Sequence, residues 1–327
     1  MARILLASGL ALTLLLGAGG ARAEKPVVVF IAGGPSHRYG AHEFGPGSAL
    51  LAEALNGPGS PVRARVHRGG WPRDVDPLAD AAAVVLYLDG GTGHAALPHL
   101  ALLESHAARG LGVVALHYAV ELPAGPPSEA FRRWIGGTYE SGFSTNPMWT
   151  AQLALDPAHP ITRGVRPFRA YDEWYFNLRF AEDGVVTPIA TAVPDDEARA
   201  DPTWPPFAND AVLLASGRTE TLVFARERPG GGRGVGFTGG HFHWNWGHDD
   251  FRTLVLNAIA WAAGAEVPAA GVPSLRPSYE ELAEGQDERQ PWFFFDEEET
   301  IERFGLRRRA TEPPTPSPPP RRRPPAP

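Results

Sequence analysis

Residues 26–32, Pro-Val-Val-Val-Phe-Ile-Ala, form a continuous apolar run that stops at Gly33-Gly34. A run without polar alternation predicts a strand covered on both faces, as in a parallel sheet. Residues 47–56 alternate at helical spacing and end at Gly57, and a short strand is expected near residues 62–66. A third strand is predicted over 82–88, running into Asp89-Gly-Gly-Thr-Gly-His94; a helix over 97–108, closed by Arg109-Gly110; and a fourth strand over 112–117. Strands alternating with helices predict a doubly wound, mostly parallel α/β sheet of the flavodoxin-like kind. Between residues 148 and 238 the apolar runs shorten to 151–155, 185–190, 211–215 and 222–225, which predicts strands and loops added to the same domain. Pro229-Gly-Gly-Gly-Arg233 reads as a hairpin turn, residues 234–238 as a buried strand, and the segment from Asp249 as a capped amphipathic helix.

The ends of the chain differ from this middle. Residues 1–23 carry Arg3, an apolar stretch over 4–16 and Ala21-Arg-Ala23, the three parts of a cleavable export signal. The mature chain is therefore expected to be exported, periplasmic or extracellular, with no membrane span after signal cleavage. The domain is expected to cover 24–266, followed by an acidic, partly ordered extension over 267–304 and a Pro/Arg-rich disordered tail over 305–327. Within the extension, Pro291-Trp-Phe-Phe-Phe295 is expected to dock on the domain. With no cysteine, the fold must rest on its core and no thiol chemistry is available. A net charge of −7 argues against nucleic acid as a partner. The single lysine, Lys25, makes Schiff-base catalysis a poor fit.

Candidate chemistry lies in the histidines. His37 and His42, with Glu43, follow the first predicted strand; His94, shortly after Asp89, follows the third; His117 ends the fourth; His241, His243 and His248 follow the last. The carboxyl ends of parallel strands lie together, so these positions are expected to meet in one cleft. Imidazole and carboxylate serve equally as ligands of zinc-like ions and as acid/base groups. Three readings stay open on this pattern: a divalent metal site, a metal-free His and carboxylate pair, and polar loops satisfied by water and backbone. His117 stands where a strand turns into a loop, the place of the nucleophile in hydrolase-like α/β folds. Asp172-Glu173-Trp174-Tyr175 adds carboxylates, and Trp244 and Trp246 offer flat faces of the kind sugar rings pack on.

Residues 27–37, Ala41-His-Glu43, residues 113–118, Tyr171-Asp-Glu-Trp-Tyr175 and residues 236–244 together resemble the trehalose-utilisation (ThuA-like) family, over about residues 26–263. The resemblance implies a fold similar to class I glutamine amidotransferases, with His117 where those enzymes carry cysteine, and a substrate class of trehalose-related glycosides, including 3-keto sugars. The expectation drawn from residues and resemblance together is a sugar-converting hydrolase, lyase or isomerase. His117, Glu173, His241 and His243 are its expected catalytic groups. His37, His42, Glu43, Asp89, His94, Tyr118, Trp174, Trp244 and Trp246 are expected to bind the carbohydrate, and His37, His117 and His241 to hold zinc or a similar divalent ion. The alternative is a non-catalytic carbohydrate-binding or scaffold protein that uses the same cleft.

Overall fold

The apolar runs become one nine-stranded sheet. In chain order, β1 (Val27–Ala32), α1 (Phe44–Asn56), β2 (Arg63–His67), β3 (Ala83–Tyr87), α2 (Leu100–Ala108) and β4 (Gly112–Leu116) stand where the pattern predicts them. Next come α3 (Pro126–Ile135), β5 (Gly137–Thr138), β6 (Met148–Leu155), β7 (Phe168–Glu173), β8 (Arg179–Phe180) and β9 (Val186–Ala192). Short helices α4 (Asp196–Arg199) and α5 (Asp210–Leu213) precede β10 (Glu220–Glu227), β11 (Arg233–Phe237) and α6 (Asp249–Ala262). Helices α7 (Tyr279–Glu284) and α8 (Glu297–Phe304) close the series. This computed structural model describes residues 24–183, 185–200, 209–287 and 295–309. The expected export signal lies outside them. Among the described residues no helix is long and apolar enough to cross a membrane.

The strand order is β2-β1-β3-β4-β11-β10-β9-β6-β7. The five strands from β2 to β11 run parallel, and the other four are added antiparallel beyond β11. Alternate residues of β1 divide between two apolar layers: Val28 and Phe30 face α1 and α6, while Val29 and Ile31 face α2 and α3. This two-sided cover is the doubly wound arrangement, and it explains the unbroken apolar runs. Of residues 211–215, one of the apolar runs expected to form added strands and loops, 211–213 fall in α5, where the Asn209 side chain accepts from the Val212 N–H and starts a helical turn.

The segment after residue 266 is more ordered than its composition implies. Ser278 and Glu281 form a capping box at α7, and Tyr279 stacks on Trp244 at 5.4 Å. Leu282, Phe304 and Leu306 are buried. The boundary expected at residue 305 therefore moves outward. The Tyr279 N–H donates to Arg307 O at 2.8 Å, Arg308 pairs with Glu298 at 2.5 Å and Arg309 with Glu284 at 3.1 Å. Phe295 packs on Phe242 at 5.7 Å, while the rest of the expected aromatic anchor, residues 291–294, lies outside the described residues. Truncation after Gly305 is expected to lower the melting temperature by several degrees, because it removes a buried leucine worth roughly 2 kcal/mol. Truncation after Arg309, which removes only the Pro/Arg-rich stretch, is expected to leave it unchanged. Thermal unfolding of the two truncations side by side checks both halves.

Candidate functional site

Register brings the loops together. Ala32 pairs with Tyr87, Tyr87 with Leu116 and Leu116 with Phe237, so β1, β3, β4 and β11 end on one rung. The loops that begin at Gly33, Leu88, His117 and Thr238 therefore leave the sheet side by side. His117 is the first residue off β4, fully buried, with a left-handed φ of 54°. A residue with a Cβ holds that conformation only where its surroundings enforce it. Here the ring does so in part: Nδ1 lies 3.0 Å from Thr238 O, a carbonyl that can only accept, so Nδ1 carries a proton and Nε2 is the nitrogen turned toward the neighbouring side chains.

That Nε2 faces three other polar atoms. His42 Nε2 is 3.0 Å away, His241 Nδ1 3.3 Å and Glu173 Oε2 3.4 Å, and His241 Nδ1 is itself 3.1 Å from Glu173 Oε2. Each of the four has an outer support. His42 Nδ1 lies 2.9 Å from Ser36 Oγ, whose hydroxyl donates to Asp89 Oδ1 at 2.6 Å, so the proton of His42 sits on Nδ1 and its Nε2 lone pair points inward. Glu173 Oε1 accepts from Asn146 at 3.1 Å, and Asn146 Oδ1 accepts from Tyr139 at 3.0 Å. The loop bearing His241 is held by the fully buried Asp172, whose carboxylate accepts from the N–H groups of Gly240 at 2.6 Å, His241 at 3.0 Å and Phe242 at 3.3 Å. Gly240 has φ 106°, and a Cβ on Gly239 would stand 2.5 Å from the Trp174 ring, so both glycines are required for this turn.

Four acceptor-bearing atoms from His42, His117, Glu173 and His241 thus lie within 4.8 Å of one another. Lone pairs at such distances repel unless a proton or a cation stands among them. A tetrahedral ion with bonds of about 2.0–2.1 Å spaces its ligands about 3.3 Å apart, and four of the six spacings within the group, at 3.0–3.4 Å, match that. Three imidazoles and a carboxylate form a donor set suited to zinc. Burial raises Glu173, but His241 and His117 overcome it and hold this carboxyl well below the usual carboxylate range. Burial, then the charges of His241 and His117, puts His42 well below an ordinary imidazole. Both are therefore deprotonated at neutral pH, as metal ligands must be.

The cluster opens on one side. His37 is exposed, its ring 3.7 Å from that of His42 and 5.5 Å from that of His241. Partial desolvation, then the His241 charge, pushes it down to about 4. Asp89, Tyr118 and Glu121 are partly exposed around the same opening. Glu121 Oε1 and the Tyr118 hydroxyl each lie 3.7 Å from where a Cβ on Gly91 would be. Burial, then the Glu173 charge, raises Glu121 to about 7.

Several expected site residues stand elsewhere. His42, and not His37, joins the four-residue group, because His42 Nε2 is the atom that lies beside His117 Nε2. His243 is buried beside Trp244, outside the four-residue group. His94 is a structural histidine: its Nδ1 accepts from Ala96 N–H and its Nε2 donates to Ala119 O at 3.2 Å. Glu43 precedes α1 and accepts from the Asp287 N–H at 2.9 Å. Trp174 and Trp246 are fully buried and Trp244 nearly so, so none offers a sugar a free face. Glu121, Asn146 and Tyr139 were not anticipated. Only Glu121, just past the fourth strand, had a positional cue.

Residues 72–262 match the family model described as ThuA, trehalose utilisation. The chain belongs to the ThuA family. Among solved structures, a ThuA-like protein from Parabacteroides merdae ATCC 43184 is 21% identical, with 80% of this chain and 99% of that one covered and a TM-score of 0.52. Another, from Bacteroides uniformis ATCC 8492, is 15% identical, with 75% and 94% covered and a TM-score of 0.53. These likenesses carry the fold, in which a parallel half-sheet leads into added antiparallel strands. No curated protein matches the chain.

Burial pushes His94 down to about 4, from 6.5 in the unfolded chain. Between those values the unfolded state binds more protons, so stability is full above pH 6.5 and falls as the pH drops toward 4, by up to roughly 3 kcal/mol from this ring. Urea denaturation across that range should show the wild-type loss, and His94→Gln should take up about one proton fewer on unfolding. An unchanged slope in the variant would remove His94 from the account.

Proposed function

We propose that this ThuA-family protein is an exported, metal-assisted enzyme that cleaves a keto-glycoside of the trehalose-related class. The observation that carries the reading is the convergence of His42, His117, His241 and Glu173 beside the exposed His37, a geometry that a mere binding cleft does not need. Those four residues would hold the ion, and a divalent cation so held supplies Lewis acidity toward a substrate oxygen. The binding-only alternative loses its support with the burial of Trp174, Trp244 and Trp246.

The chain's own groups supply proton transfer. His37 is neutral at pH 7 and able to accept a proton, while Glu121, raised to about 7, is about half protonated there and able to give one. Environments that push two titratable groups apart in this way assign base and acid. In a 3-keto-glycoside the ketone acidifies the C2–H bond. His37 takes that proton, the C1–O bond breaks as a C1–C2 double bond forms, and Glu121 protonates the departing oxygen. Addition of water across the new double bond completes a net hydrolysis. Rate should therefore fall as pH rises through about 7 and Glu121 ionises.

The test incubates the metal-stripped and the zinc-loaded protein with 3-keto-α-glucosides and with the parent glycosides, following release of free sugar. Turnover of the keto substrate by the zinc-loaded form alone is expected. Equal turnover by the stripped form would remove the metal from the reading, and no turnover by either would sink it.

A further inference from the structure

The family match ends at residue 262, yet the chain beyond it reaches back to the site. Gln286 is buried, and its Oε1 accepts from the Gly40 N–H at 2.7 Å. The next residue, Asp287, donates its N–H to Glu43 Oε2 at 2.9 Å, and its carboxylate lies 3.5 Å from Arg68. These contacts fall on either side of His42. The same segment also grips the His241 loop: Tyr279 stacks on Trp244, and Arg276 Nε donates to Gly247 O at 3.0 Å.

His42 needs such a grip. Its φ is 50°, a left-handed conformation that a residue with a Cβ abandons unless it is held. From within the domain, its N–H donates to His241 O at 3.0 Å and the Gly40 carbonyl accepts from the His243 N–H at 2.9 Å. The Gly40 N–H, two residues before the ligand, is satisfied only from the C-terminal segment among the described contacts.

Resting on the metal reading above, we infer that the C-terminal segment is a working part of the site, with Gln286 as the positioning residue that keeps His42 aimed at the ligand centre. The ThuA domain of this chain thus completes its ligand set only when the segment following it is docked. Partners that orient metal ligands typically account for 10–100-fold in metal affinity.

The full-length protein, stripped of metal, is titrated with cobalt(II) alone, which reports four-coordinate geometry through its visible absorption. Gln286→Met keeps the volume and removes the acceptor; Gln286→Glu keeps an acceptor oxygen. We expect Gln286→Met to weaken cobalt binding at least about tenfold and to change the absorption band, and Gln286→Glu to stay within about threefold of wild type. Thermal unfolding of each variant runs in parallel. A lower melting temperature in Gln286→Met with wild-type cobalt affinity and spectrum would overturn the inference and leave Gln286 with a structural role alone. Failure of the wild type itself to bind cobalt would instead overturn the metal reading, and this inference with it.

Discussion

Zinc binding and turnover should both collapse when His117 is replaced by alanine or glycine, each by about a hundredfold or more, while the protein stays folded. His117 Nε2 is the atom nearest the middle of the group, within 3.0–3.4 Å of His42, His241 and Glu173, so its removal leaves three donors with no common vertex. The two variants differ in backbone. At φ 54° alanine keeps the steric cost of the left-handed conformation and glycine does not, so the glycine variant is expected to be the more stable by roughly 1 kcal/mol. Metal titration, turnover and urea denaturation of both variants give three separate readouts. Retained zinc affinity in either would make His117 a structural residue and shift the chemistry to the loop that carries His241. Equal stability of the two would show that no strain is held there.

The second large effect concerns Trp246, which the sequence offers as a platform for sugar. Its ring is fully buried, edge-on to Tyr87 at 5.9 Å and to Phe251 at 5.5 Å. Trp246→Ala is accordingly expected to lower stability by about 3–5 kcal/mol, the cost of a cavity of that size in a close-packed interior. Denaturant unfolding measures this directly. A stable variant that had lost only sugar affinity would return Trp246 to the role of platform.

The two residues show how far a sequence can be read. Periodicity locates β1, β3, β4 and β11, and a parallel sheet must end its strands on one edge, so the meeting of His117 with His241 is legible in the sequence. The choice between His37 and His42 was not. Both sit in one glycine- and proline-containing loop, and what selects His42 is a backbone turn braced by His241 O and by Gln286, far away in sequence. The burial of the tryptophans was hidden for a similar reason. A loop rich in aromatic residues looks the same in sequence whether its rings face solvent or pack under a C-terminal segment. Sparse anchors such as Leu282, Phe304 and Leu306 hid how far the order of that segment extends, since three apolar side chains scarcely register against a background of acids, arginines and prolines.

The level ending of the four strands also bears on how this protein comes to be folded. His42 and His117 are 75 residues apart, and His117 and His241 are 124 apart. Bringing such distant positions together costs loop-closure entropy that only an assembled sheet recovers. In a zinc finger neighbouring ligands let the ion nucleate the fold, but here no short stretch of chain presents more than a fragment of the donor set. An ion held by this group would meet its ligands only after the sheet has formed. Zinc added during refolding should therefore leave the refolding rate unchanged and slow the unfolding rate instead.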